Sequence, residues 1–140
     1  MTISIDTNVI AAVWNKNHAQ NSVASRALGD LIAQENLVVS GPVYSELMAG
    51  PLRTEEALDL FFHDTGIQVD WVMDESIWRE AGRAYTGYVR RRTRSRGGES
   101  RRILTDFLIG AHALSRGNSM LTLDKELYRV SFPTLQIHSV

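Results

Sequence analysis

Asp6 closes a short apolar run, Ile3-Ser4-Ile5, and is followed at once by Thr7 and Asn8. Asp124 closes a second such run, in Leu121-Thr122-Leu123-Asp124. Glu46 and Asp106 lie on stretches of helical character, Asp106 near the start of its helix with Thr105 as the expected N-cap. Carboxylates brought close together raise one another's pKa, so a cluster of four acids needs a cation. An all-oxygen donor set suits Mg²⁺ or Mn²⁺, and Mg²⁺ uses one or two carboxylates while keeping several waters. Ions held in this way can bind a phosphodiester oxygen, activate a water and steady a leaving alkoxide. Thr7, Asn8 and Thr122 are the neutral groups placed to orient the carboxylates, waters or phosphate.

The elements that must position these acids follow from periodicity. Ile3 to Ile5, Leu-Val-Val-Ser at 37–40, Gly-Ile-Gln-Val-Asp-Trp at 66–71, Ser-Met-Leu-Thr-Leu at 119–123 and Leu-Gln-Ile-His at 135–138 read as strands. Helices are expected at Thr7–Trp14 and 18–34, after Pro42 as far as Gly50-Pro51, at 54–64 and at 74–92. Two more are expected: one through Leu104, Phe107, Leu108 and Ala111 to about Gly117-Asn118, and a short one holding Leu127 and Tyr128. Strands spaced by helices imply an α/β fold, a mostly parallel sheet of about five strands covered on both faces. In such sheets ligands bind beyond the carboxyl ends of the strands. Asp6 and Asp124 leave strand ends directly, and the helices carrying Glu46 and Asp106 have access to the same edge.

Each acid alone has a second reading. Asp6 and Asp124 can cap the helices that follow them, Asp106 can answer a helix dipole, and Glu46 can be a solvated helix residue. Four such placements on one edge favour a shared site. Asp30, Asp59, Asp64, Asp70 and Asp74 lack the placement and read as solvated. Phe61, Phe62, Trp14, Trp71 and Trp78 read as core more than interface, with the helix near 54–64 as the candidate partner groove. His112 reads as structural or partly exposed. There is no phosphate-binding glycine loop and no spacing that suggests a nucleophilic triad.

The 140 residues suit one domain spanning 1–140. There is no cysteine, which excludes a disulfide framework and any thiolate metal site. No apolar run approaches the roughly 18 residues of a membrane helix, no signal sequence stands out, and the expectation is a cytoplasmic protein without membrane contact. Arg90, Arg91, Arg92, Arg94, Arg96, Arg101 and Arg102 face a single acid, Glu99, within 90–102, a net +6. With the chain at −1, everything else must carry −7. A basic segment beside an acidic metal site is suited to drawing in an RNA backbone, with Tyr88 available to stack on a base, or to binding an acidic partner segment.

Asp-Thr-Asn-Val at 6–9, Ser-Glu-Leu at 45–47, Thr-Asp-Phe-Leu-Ile-Gly-Ala-His-Ala-Leu at 105–114 and Leu-Thr-Leu-Asp-Lys-Glu-Leu at 121–127 together resemble the PIN domain, most closely its VapC-type bacterial toxins. The resemblance covers nearly the whole chain. It implies a three-layer α/β/α sandwich and a Mg²⁺- or Mn²⁺-dependent endoribonuclease, paired with a cognate antitoxin and commonly a homodimer. Carried over by position, Asp6, Glu46, Asp106 and Asp124 are its acidic metal site, with Asn8 and Thr122 in support. The chain departs from the pattern at Leu123, where the family often has a basic residue, and it has Leu127 and Tyr128 where the family often has an aromatic a few places after the last acid. The rivals to this reading are a phosphoacceptor receiver domain and a non-cleaving RNA- or protein-binding module on a PIN-like fold.

Overall fold

The computed structural model describes residues 1–50, 54–96, 101–138 and 140. Pro51 and the Gly97-Gly98-Glu99 stretch, on which parts of the sequence reading fell, lie outside the described residues. The elements run β1 (Thr2–Ile5), α1 (Thr7–Trp14), α2 (Asn21–Gln34), β2 (Asn36–Ser40), α3 (Gly41–Met48), α4 (Glu55–Thr65), β3 (Gln68–Asp70), α5 (Glu75–Arg94), α6 (Leu104–Ser115), β4 (Ser119–Leu121), α7 (Lys125–Ser131) and β5 (Ile137–His138). The strands form one sheet in the order β3-β2-β1-β4-β5, every pairing parallel. The α/β alternation read from the sequence is therefore present, with five strands.

From β1 the chain steps twice in one direction, to β2 and then β3, and afterwards crosses back to β4 and β5. Right-handed crossovers put the helices of the outward steps on one face and those of the return on the other, which gives three layers. The order reverses between β1 and β4, and that reversal opens the crevice where such sheets bind ligands. Asp6 follows β1 and Asp124 follows β4, so the two strand-end acids flank this switch point.

Local chemistry moves some boundaries. Gly66 is not the start of β3 but the left-handed C-cap of α4, at φ 73°, with its N–H on the Phe62 carbonyl. Asp74 caps α5, its carboxylate accepting from the Ile77 N–H at 3.3 Å. Thr105 is not an N-cap: α6 begins at Leu104, and the cap position is Ile103. Pro42 stands in the first turn of α3, as expected.

The core is built on Ile3 and Ile5 of β1, Val39 of β2 and Met120 and Leu121 of β4, with α6 as its central helix. Phe107 to Ala113 are buried without a break, since α6 touches β4, α3 and α5. Gly110 is needed there, because a Cβ at that position would lie 2.3 Å from the buried Phe132 ring. Phe62 is core and Phe61 packs edge-on against the partly buried Trp14 at 5.0 Å. The core reading fails for Trp71 and Trp78, which are 63% and 51% exposed. Trp71 rests edge-on against Tyr44, and the Trp78 indole donates to the Met73 carbonyl, so each is pinned by one edge only.

Asp70 was expected to be solvated and is not. Its Oδ2 accepts from buried His112 Nε2 at 2.8 Å and from Arg116 Nε at 2.8 Å. Burial works against its charge, but Arg116, the Val72 N–H and His112 outweigh it and pull the carboxyl down to about 2. The ionised carboxylate can only accept, so Nε2 of His112 carries the proton. His112 is thus a structural residue tying α6 to the end of β3. This arrangement also removes Asp70 from the phosphoacceptor role that a receiver domain needs at the end of its third strand.

Candidate active site

Asp6 occupies the N-cap position of α1 but makes no capping hydrogen bond. Its carboxylate is 6% exposed and turns toward β4 and α7. Oδ2 accepts from Thr122 Oγ1 at 2.8 Å and from the buried Tyr128 hydroxyl at 2.9 Å. Burial is the main reason that its pKa rises to about 6. The hydrogen bonds from Thr122 and Tyr128 oppose the rise, and the charge of Asp106 adds to it.

Thr122 organises the strand-end loop. Its hydroxyl donates to Asp6 and accepts from the Asp124 N–H at 2.9 Å and from Asn8 Nδ2 at 3.4 Å. Asn8 Oδ1 in turn accepts from the Leu123 N–H at 3.1 Å, so its side chain clasps residues 122 and 123. Thr7 Oγ1 donates to Glu46 Oε1 at 2.6 Å and fixes the first polar contact between α1 and α3. The three neutral residues singled out in the sequence each hold an acid or the backbone that carries one.

Glu46 is half-buried; burial lifts its pKa, and the charge of Asp106 adds while the Thr7 bond opposes. Asp106 sits in the first turn of α6, where it accepts from the Ile103 N–H at 3.1 Å. Burial lifts it too, with Asp124 adding and Ile103 and Arg102 opposing. Asp124 caps α7, accepting from the Leu127 N–H at 3.4 Å, and is gripped through both oxygens by the Arg102 guanidinium. Asp106 is thus coupled electrostatically to Asp6, Glu46 and Asp124, and all four acids share one edge. As the side chains lie, no three carboxylates or imidazoles among the described residues stand close enough to hold one ion. The donor set nevertheless fits a hard divalent cation. It is all oxygen, three of its acids are held above their ordinary range, and a Mg²⁺ ion needs only one or two of them beside its waters.

Two groups at this edge escaped the sequence reading as site residues. Tyr128 reaches Asp6 from 122 residues away, and only its position four after Asp124, one helical turn into α7, hinted at that. Ser40 Oγ, at the carboxyl end of β2, is buried without a hydrogen-bond partner. Continuing the β1–β2 register past Ser4 and Val38 sets Ser40 beside Asp6.

The arginines do not form one patch. Arg92, Arg96, Arg101 and Arg102 line a cavity of about 460 Å³ with Tyr85, Tyr88, Val89 and Thr93. Arg91 faces away, toward Ser131 at 3.5 Å, and Arg90 and Arg94 project from the exposed side of α5. Tyr88 cannot stack on a base, for it is 3% exposed, packed on Phe107 and Tyr85. Its hydroxyl accepts the Arg102 N–H at 2.6 Å.

A PIN-domain family model matches residues 3–133. Among solved structures, a chain of the VapBC2 complex of Rickettsia felis, determined with a DNA fragment from its promoter, superposes with a TM-score of 0.71 at 19% identity, over 99% of this chain and 98% of that one. A chain of VapBC-1 from nontypeable Haemophilus influenzae gives 0.67 at 19% identity, with the same shares covered. VapC20 of Mycobacterium tuberculosis, described as a sarcin-ricin loop cleaving toxin, gives 0.58 at 20% identity over 89% and 92%. No curated protein matches this chain. At these identities the likeness to the solved toxins is one of fold.

Proposed function

The chain belongs to the PIN-domain family, and from that premise we propose that it is a Mg²⁺- or Mn²⁺-dependent endoribonuclease, the toxin of a VapBC-like type II toxin–antitoxin pair, inhibited by a cognate antitoxin. The observation that carries the proposal is the buried Asp6 carboxylate at the β1/β4 switch point. Two hydroxyls hold it, and it feels the charge of Asp106 across the edge. Asp6, Glu46, Asp106 and Asp124 would hold the ion. A divalent ion bound there supplies positive charge to a phosphodiester oxygen and makes a water easier to deprotonate.

The chain's own groups set the geometry. Thr122 and Tyr128 fix the Asp6 carboxylate, Thr7 fixes Glu46, and Asn8 locks the turn from which Asp124 projects. The acidic edge by itself repels RNA. The arginine-lined cavity next to it, which Arg102 joins to Asp124, offers the opposite charge to a phosphate backbone. The expected partners are RNA, an antitoxin and a second copy of the chain, in the cytoplasm. Exposed Leu60, Trp71 and Trp78 are among the apolar side chains available for protein contact. Among the described residues no helix is long and apolar enough to cross a membrane.

The test is cleavage of total RNA by purified protein in Mg²⁺, Mn²⁺ or EDTA, with Asp106→Asn beside the wild type. Cuts at a few sites that need the ion and vanish in the variant are expected. Unchanged cleavage by Asp106→Asn would refute the assignment. Folded, antitoxin-free protein that binds RNA and cuts nothing would make it a binding module.

A further inference from the structure

Among the described residues, Arg102 is the one that belongs both to the acidic edge and to the basic cavity. Its backbone is fixed: the N–H donates to the Tyr88 hydroxyl at 2.6 Å, and Tyr88 is itself buried against Phe107. Its side chain is only 20% exposed and reaches from just before α6 to the N-cap of α7. There the guanidinium fork takes both oxygens of Asp124, the second at 3.4 Å. One of those oxygens already accepts the Leu127 N–H of the cap. Three of the carboxylate's roughly four acceptor positions are therefore taken, and it cannot grip an ion through both oxygens while Arg102 is in place. The same positive charge also reaches Asp106.

We infer that Arg102 is a built-in stand-in for the metal: it neutralises Asp124 in the resting enzyme, competes with the divalent ion for the same carboxylate oxygens, and is displaced toward the arginine-lined cavity when the ion binds. The inference rests on the metal-site reading above. The competition is unequal in the ion's favour, since a divalent cation answers several acids at once and the guanidinium answers chiefly one. The displaced side chain moves from a carboxylate to a cavity already lined by Arg92, Arg96 and Arg101, where a phosphate bound among the guanidinium groups would stabilise it. Metal binding and backbone binding are thereby linked through one side chain, so that the ion is held most firmly when RNA is present.

The experiment is Mn²⁺ binding to metal-free protein by calorimetry, with no RNA, for the wild type, Arg102→Gln, Arg102→Lys and Arg101→Gln. Arg101 is exposed, lines the same cavity and carries the same charge, so Arg101→Gln controls for net charge alone. Arg102→Gln should tighten Mn²⁺ by about tenfold, and Arg101→Gln by less than about threefold, since an exposed charge acting from a distance is screened by salt. Arg102→Lys keeps the charge but loses the fork and should fall between. The backbone anchor on Tyr88 survives each substitution, and thermal unfolding checks that the fold does too. Equal effects of Arg102→Gln and Arg101→Gln, or weaker binding in Arg102→Gln, overturn the inference while leaving the metal site standing. No Mn²⁺ binding by folded wild type or by Arg102→Gln removes the metal site and this inference together.

Discussion

Replacing Asp6 with asparagine should make the metal-free protein more stable. The Asp6 carboxyl titrates at about 6 when folded, against 3.8 for the free group, chiefly because it is buried. Between those values the folded chain keeps a proton that the unfolded chain has released. Stability therefore falls as pH rises from 3.8 to about 6 and is flat above. At pH 7.5 the accumulated cost is about 3 kcal/mol. The asparagine carbonyl can accept from both Thr122 and Tyr128, but its NH₂ group cannot accept the Thr7 N–H as the carboxylate does, which costs about 1 kcal/mol. The net gain is about 2 kcal/mol, or about 4–8 °C in Tm for a chain of this size. Urea denaturation in EDTA reads it directly. At pH 4.5 the folded carboxyl still keeps its proton, the accumulated cost is only about 1 kcal/mol, and the advantage should fall to near zero. Added Mn²⁺ should stabilise the wild type and leave Asp6→Asn unmoved, while the variant loses RNA cleavage. A variant less stable than wild type at pH 7.5, or an advantage independent of pH, would refute the argument that burial of this carboxylate strains the fold.

Three further outcomes follow from named contacts. Thr122→Val keeps the shape but removes the hydroxyl that serves Asp6, Asp124 and Asn8; it should cost about 2–4 kcal/mol in urea melts and weaken Mn²⁺ binding by about 10–100-fold. Gly110→Ala drives a methyl into the buried Phe132 ring; the overlap costs about 3 kcal/mol or more, helix propensity returns about 1 kcal/mol, and Phe132→Leu in the same chain should recover part of the loss. Asp70 is depressed to about 2 despite its burial, so its stabilisation is complete above 3.8 and is lost as pH falls toward 2. That is about 1–2 kcal/mol once solvent screening is allowed for, and Asp70→Asn should flatten the acid limb of the stability–pH curve.

Local sequence was enough for the element order, the parallel α/β class and the placement of two acids at strand ends. Those features depend on side-chain period and on a polar residue ending an apolar run, and both are visible within a few neighbours. The same locality explains the slips. Gly66 looked like strand because its flanks are β-branched, yet its positive φ serves the end of α4. Thr105 looked like a cap, but the helix starts one residue earlier and Asp106 takes the free N–H.

What the tertiary structure decided lies between residues far apart in the chain. The strand order 3-2-1-4-5 sets β4 against β1, and only then do Tyr128 and Thr122 meet Asp6. The packing of α5 on α6 buries Tyr88, fixes Arg102 by its backbone and separates the four arginines of the cavity from Arg90, Arg91 and Arg94. The approach of the α6 C-terminus to β3 turns Asp70 from a surface acid into the partner of His112 and Arg116. Trp71 and Trp78 stay outside because the core is already filled from β1, β4 and α6. A sequence records which groups are able to ionise, donate or pack; which of them meet, and at what cost in lost water, is set by sheet order and helix packing.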